Sequence, residues 1–224
     1  MSNIKEHYNK KGLYSGYDKN HKERSAEDYY ATPPAEVENI LNVLKLPLNK
    51  QTILEPCCGG GHMVTGITNY IYNQNYDSKL WKIIATDIKD RKKLLREIDY
   101  KAGLQYDFIS DNYPYTANID YIIMNPPFSL IEPFVMKSLG IANKGVLMFG
   151  RLQFLEGEKR YTNILKECPP SDIYVYVDRI NLHKNGDPSI KVGAVQAYAW
   201  YYWNLKQNKN NNTLVHWIRR IDKI

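Results

Sequence analysis

Short apolar runs alternate with helical patterns along most of this chain, and that rhythm constrains the fold more than any other feature. Thr52-Ile53-Leu54, Ile83-Ile84-Ala85, Leu104 to Ile109, Ile119 to Met124 and Val146 to Phe149 read as strands. His62 to Tyr72, the basic stretch Lys89 to Ile98, and Leu130 to Ala142 read as helices between them. An earlier helix opens at Thr32-Pro33-Pro34, where Pro34 suits the first turn and Val37, Ile40, Leu41 and Leu44 recur at helical spacing. Strands alternating with helices predict an α/β fold, a mostly parallel central sheet with helices on both faces.

The last part of the chain changes character. Ile173 to Val177, the aromatic run Val195 to Trp203, and Thr213 to Ile218 follow closely, which predicts an antiparallel C-terminal edge. Gln207 to Asn212 then reads as a hairpin loop, and Asn185-Gly186-Asp187-Pro188 marks a turn inside the polar stretch Asp178 to Lys191. Residues 1 to 28 are charged and aromatic without a period and read as a flexible arm, leaving 29 to 224 as one domain. No apolar run approaches a membrane span, which argues against a membrane partner. Three cysteines and no signal sequence point to a reducing, cytoplasmic setting.

The chemistry concentrates where strands end. Asn125-Pro126-Pro127-Phe128 follows the apolar Tyr121-Ile122-Ile123-Met124. An amide oxygen and a carbonyl before a proline can each accept one N–H of a planar amino group. Phe128 can stack on the ring that carries it. The prolines stiffen the loop before substrate arrives. Taken alone, the tetrapeptide is equally compatible with a strand ending in a proline turn.

Glu55-Pro56-Cys57-Cys58-Gly59-Gly60-Gly61 lies between the first sheet strand and a helix, where open α/β sheets bind ligands. Consecutive glycines permit a sharp turn and close approach of a ligand. No Gly-Lys-Ser/Thr follows, and the spaced glycines of a dinucleotide fingerprint are absent. Glu55 disfavours a phosphate and suits a cation, so S-adenosylmethionine, with its ammonium and sulfonium, fits better than NAD or ATP. Cys57 and Cys58 are adjacent and read as small loop residues, with neither a metal site nor a disulfide expected. Asp87 ends the next strand, placed for ribose hydroxyls or as a helix N-cap. Asp107-Phe108 ends the third, fitted to an adenine amino group and ring, or simply a strand-end acid beside a core phenylalanine.

The motifs Thr-Pro-Pro, Leu-Glu-Pro-Cys-Cys-Gly-Gly-Gly, Ala-Thr-Asp-Ile, Gln-Tyr-Asp-Phe and Asn-Pro-Pro-Phe stand in that order from Thr32 to Phe128. Together the series resembles the N6-adenine DNA methyltransferases, which have the class I methyltransferase, Rossmann-like fold. Phe154-Leu155-Glu156-Gly157 with Arg160, and Ala197-Tyr198-Ala199-Trp200, resemble segments of small phage-type members. The resemblance implies methyl transfer from S-adenosylmethionine to adenine N6 in DNA by direct displacement. It implies that Tyr30 and Thr32 close over the methionine part, and that Glu55, Cys57, Gly59 and Gly61 lie beside methionine and ribose. It further implies that Asp87 and Ile88 contact ribose and adenine, that Asp107 and Phe108 contact adenine, and that Asn125, Pro126, Pro127 and Phe128 are catalytic. Related enzymes methylate adenine in RNA or glutamine in protein with a similar tetrapeptide. An idle nucleic-acid-binding subunit is a third reading, which the intact tetrapeptide disfavours.

Net charge is +6, which suits a polyanion such as DNA, or RNA as the alternative. Arg151, Lys159, Arg160, Lys184 and Lys191 are the candidate substrate contacts. Nothing of domain size follows the tetrapeptide, so recognition is expected to use short segments, a homodimer or a partner subunit.

Overall fold

The computed structural model describes residues 30–77, 80–90, 103–184, 196–206 and 212–223. The N-terminal arm, most of the expected basic helix, Lys191 and the 207–211 stretch lie outside the described residues.

Helix α1 (Pro34–Leu44) starts on a proline and ends at Lys45, which takes a left-handed conformation. The Leu46 N–H there closes back on the Leu41 carbonyl at 3.3 Å, satisfying an otherwise open helix end. Its Val37, Ile40 and Leu41 are fully buried and pack with helix α2 (His62–Asn73). Gly66 makes that approach possible. A β-carbon there would meet the Pro34 carbonyl oxygen and the Val37 Cβ, both at 2.6 Å.

Eight strands form the central sheet. In chain order they are β2 (Thr52–Glu55), β3 (Lys82–Asp87), β4 (Leu104–Gln105), β5 (Tyr121–Met124), β6 (Gly145–Arg151), β7 (Asp172–Tyr176), β9 (Tyr198–Asn204) and β10 (Leu214–Ile218). Two short strands, β1 (Tyr30–Ala31) and β8 (His183–Lys184), pair antiparallel apart from it. The spatial order is β10-β7-β9-β6-β5-β2-β3-β4. Every neighbouring pair is parallel except the two that involve β9. Alternate side chains feed two cores, as pleating requires. Ile53, Ile83, Ile123 and Leu147 join α1 and α2 on one face. Leu54, Ile84, Ile122 and Val146 join helix α3 (Ile131–Ile141) on the other.

The expected α/β architecture is therefore present, and its C-terminal part differs in detail. The expected antiparallel pairing holds between β7 and β9. However, β9 lies between β6 and β7, and the edge strand is β10, parallel to β7 in register Leu214 to Asp172. β9 and β10 thus do not form a hairpin. The reason is burial: Trp200, Tyr201 and Trp203 are at most 1 % exposed, so their strand needs cover on both faces. Their polar atoms are also satisfied there, with Trp200 Nε1 donating to Tyr176 Oη at 3.1 Å and Trp203 Nε1 to the Cys168 carbonyl at 3.0 Å. β10, with Trp217 71 % exposed, has the composition of an edge.

Strand β4 is also shorter than expected. The Ile109 N–H donates to Asp107 Oδ1 at 3.2 Å and the Ser110 N–H to the Asp107 carbonyl at 3.2 Å, so the acid turns the chain out of the sheet. No described helix is long and apolar enough to cross a membrane.

Candidate active site

Strands β5, β2 and β3 are neighbours and parallel, so Asn125, the glycine loop and Asp87 emerge along one sheet edge. Gly59 (φ 49°) and Gly61 (φ 80°) both adopt the left-handed backbone that favours glycine. These turns direct two N–H groups at β3. Cys58 N–H donates to the Thr86 carbonyl at 2.9 Å, and Gly59 N–H donates to Asp87 Oδ2 at 2.8 Å. Lys89 N–H donates to Asp87 Oδ1 at 2.9 Å. Asp87 thus locks the glycine loop and its own turn while its carboxylate borders the cavity, so structural and binding uses are compatible.

A cavity of about 960 Å³, open to solvent, lies over this edge. Tyr30, Thr32, Glu55, Cys57, Asp87, Ile88, Asp107, Phe108, Asn125, Pro126, Pro127 and Phe128 all line it. Gly59 and Gly61 do not; they shape the loop behind the wall. Ala31, Pro56, Cys58, His62, Met63, Lys89, Leu130 and Phe134 line it as well and were not among the expected residues. Of these, His62 had a legible signal, since it follows Gly61 directly at the start of a helix. Its ring meets His183 edge-on at 6.2 Å, and burial together with His183 holds its imidazole below the usual range.

Asn125 is oriented by residues 95 and 93 positions upstream in the chain. Its Nδ2 donates to the Tyr30 carbonyl at 2.7 Å and to Thr32 Oγ1 at 3.0 Å. Both amide protons are used, so Oδ1 is the polar atom left to receive a donor. Cys57 Sγ donates to the Asn125 carbonyl at 3.4 Å, tying the tetrapeptide to the glycine loop. Burial first, and then the Glu55 and Asp87 charges, push the Cys57 thiol well up, which disfavours the thiolate.

Glu55 is 2 % exposed. Burial first, and then the Asp87 charge, hold its carboxyl well above the usual carboxylate range, against one N–H from Val64. Its Oε2 is buried without a hydrogen-bond partner among the described residues. An orphaned acid oxygen beside a second acid is the electrostatic complement of a bound cation. Phe108 is 1 % exposed and packs on Phe134 and Tyr113 while lining the cavity, so it belongs to both core and wall.

Phe128 stands between Tyr30, stacked at 5.9 Å and 28°, and the Arg151 guanidinium, 3.9 Å from its ring centroid. Arg151 is therefore beside the tetrapeptide and half-buried. Arg160 Nη1 donates to the Gln153 and Glu156 carbonyls, closing that loop on itself, and the residue borders the neighbouring pocket with Arg151. Lys159 is exposed on a helical turn. Lys184 contributes backbone to β8 opposite Tyr30, and Lys191 lies outside the described residues. Among the described residues, no three His, Cys, Asp or Glu side chains cluster as metal ligands would.

Residues 13–139 match the family N-6 DNA methylase. The chain belongs to that family. Solved structures with the same fold include the methyltransferase subunit of a type I restriction-modification system from Streptococcus thermophilus (TM-score 0.61, 12% identity, 86% of this chain and 47% of that one). A putative class I S-adenosylmethionine-dependent methyltransferase from Listeria monocytogenes aligns with TM-score 0.61 at 14% identity, over 93% of this chain and 69% of that one. A putative RNA methyltransferase from Pyrococcus horikoshii aligns with TM-score 0.54 at 17% identity, over 79% and 87%. The chain spans about half the length of the Streptococcus thermophilus subunit and of a second modification subunit from Vibrio vulnificus. No curated protein matches it. Membership in the N-6 DNA methylase family implies S-adenosylmethionine as the cofactor, and the acids at the cavity wall fit that cationic ligand.

Proposed function

We propose that this protein transfers a methyl group from S-adenosylmethionine to the N6 amino group of adenine in DNA by direct in-line displacement. The observation that carries the reading is the orientation of Asn125, whose amide N–H bonds to Tyr30 and Thr32 leave Oδ1 as the acceptor at the cofactor cavity. The cofactor supplies an electrophilic methyl group on sulfur. Glu55 and Asp87 would favour its cationic methionine part and the ribose, Ile88, Asp107 and Phe108 would wall its adenine, and Tyr30 and Thr32 would cover the methionine end.

The substrate adenine leaves its duplex and enters beside Phe128, which stacks on it. Asn125 Oδ1 and the Pro126 carbonyl each accept one N6 hydrogen. These bonds favour a pyramidal nitrogen whose lone pair points at the methyl carbon. Pro127 keeps the carbonyl in place. With the cofactor bound, attack by N6 on its methyl carbon would release the thioether sulfur, and the extra N6 proton would pass to solvent. The contribution of the protein is positioning and fixed dipoles. Arg151, Lys159, Arg160, Lys184 and Lys191 are proposed to serve the polyanion, Arg160 while also holding its neighbouring loop. The arm at residues 1–28, the 178–191 segment or a partner subunit would supply sequence recognition.

Labelled-methyl transfer to duplex DNA, structured RNA and protein, run in parallel, tests the reading. Label on N6-methyladenine from DNA is expected. Label found only in RNA or on protein glutamine, or none anywhere, overturns it.

A further inference from the structure

A second cavity of about 590 Å³ lies beside the first and shares Phe128 with it. Its wall includes Glu132, Arg151, Gln153 and Arg160. Arg151 borders this cavity and not the first, so its guanidinium covers Phe128 from the second cavity's side. The residue is held firmly. Its backbone is the last register pair of β6 with β9, opposite Tyr198, and its carbonyl accepts from Tyr201 Oη at 2.9 Å.

The charges at the cavity are not equally committed. The Glu132 carboxylate accepts from Asn163, and Arg160 Nη1 serves two backbone carbonyls. Arg151 meets the Tyr198 hydroxyl, yet its Nε is buried without a hydrogen-bond partner among the described residues. A buried guanidinium N–H without an acceptor is costly. Its planar fork matches a phosphate, which can take Nε–H and an Nη–H together. A base stacked on Phe128 from the cofactor side would carry its own backbone past the same ring.

We propose that the second cavity is a phosphate pocket, in which Arg151 binds the phosphodiester next to the extruded adenine. The inference rests on the adenine reading above and adds a binding role to that same site. Phe128 then keeps the phosphate-bound guanidinium over its ring, and the base stacks on the side where the Tyr30 ring now lies. Arg151 acts as a substrate-binding and positioning residue and takes no part in bond making.

The test uses the full chain with S-adenosylhomocysteine and an adenine-containing DNA duplex. Affinity is titrated against salt for the wild type, Arg151→Gln and Arg151→Lys. Each phosphate contact contributes about one unit to the slope of log affinity against log salt. Arg151→Gln is expected to weaken DNA binding about tenfold at low salt and to lower that slope by about one. Arg151→Lys is expected to keep the slope and recover only part of the affinity, because a point charge lacks the fork. S-adenosylhomocysteine affinity should stay within about twofold in both variants. An unchanged slope in Arg151→Gln, with cofactor affinity intact, overturns the pocket and leaves Arg151 as a prop for Phe128. If Arg151→Gln loses cofactor binding through misfolding, Arg151→Met decides: an unchanged slope in a cofactor-binding Met variant also overturns it. Methylation of DNA adenine by the wild type together with an unchanged slope sinks this inference alone. Absence of DNA methylation by the wild type sinks the parent reading.

Discussion

On one side of Asn125 the site is walled by acids, Glu55, Asp87 and Asp107; on the other, Phe128 is surrounded by Tyr30, Tyr198 and Arg151. The acidic half is rigid in its backbone, because Asp87 accepts one N–H from the glycine loop and another from its own turn. The aromatic half is held by stacking and a cation over a ring, contacts that tolerate a change of neighbour. The contrast fits two ligands of opposite charge, a cationic cofactor and a polyanion. It also separates what each half should do when damaged.

Asn125→Ala removes the acceptor at the junction and should have the largest effect. Turnover is expected to fall at least about 100-fold, the scale for losing one preorganised transition-state partner. S-adenosylmethionine affinity should change only a few-fold; wild-type turnover in the variant would refute the assigned role. Phe128→Ala strikes the aromatic half alone. Loss of one base-stacking platform corresponds to about 1–3 kcal/mol, or about fivefold to 150-fold in substrate use, with cofactor binding retained. Equal losses of cofactor and DNA binding would erase the division between the halves.

Glu55→Gln strikes the acidic half, with an expected loss of about tenfold in cofactor affinity and little change in DNA affinity. The pH dependence sharpens this. Burial and Asp87 keep the proton on Glu55 above the usual carboxylate range. A bound cation favours the ionised form and so expels that proton. Cofactor affinity of the wild type should rise as pH climbs through the raised pKa and level off above it. The Gln variant should be flat in that window; calorimetry in buffers of different ionisation heat reads the released proton directly. The smallest effect is expected from Lys159→Ala, because that side chain is exposed and screened. DNA affinity should fall about twofold or less at ordinary salt, by filter binding. A larger loss would extend the substrate-binding half outward.

The two halves were not equally legible in the sequence. Glu55, Asp87, Asp107 and Asn125 stand at ends of apolar runs, and parallel strands bring such ends to one edge whatever the loops do. What holds Asn125 was hidden. The Tyr30 carbonyl lies 95 positions away in the chain, in a two-residue strand whose partner is His183–Lys184. So brief a strand carries no periodicity. The Arg151 contact was equally opaque: a cation after a strand reads as surface charge until the sheet sets Phe128 beside it. The place of β10 was missed because nearness in sequence suggested a hairpin, whereas the burial demanded by Trp200 and Trp203 drove β9 between its neighbours.

That placement of β9 has a consequence for how the protein comes off the ribosome. Strands β6 and β7 are complete by Tyr176, yet nothing in the sheet joins them until Tyr198 to Asn204 has been made. Synthesis proceeds at about 5–20 residues per second, so the two portions wait for seconds, their facing edges open to other chains. A nascent chain halted before Tyr198 should show β7 as protease-sensitive, with protection appearing once β9 emerges. The strand that arrives nearly last is the keystone of the sheet, and the interval before its arrival is when this protein is most exposed to aggregation.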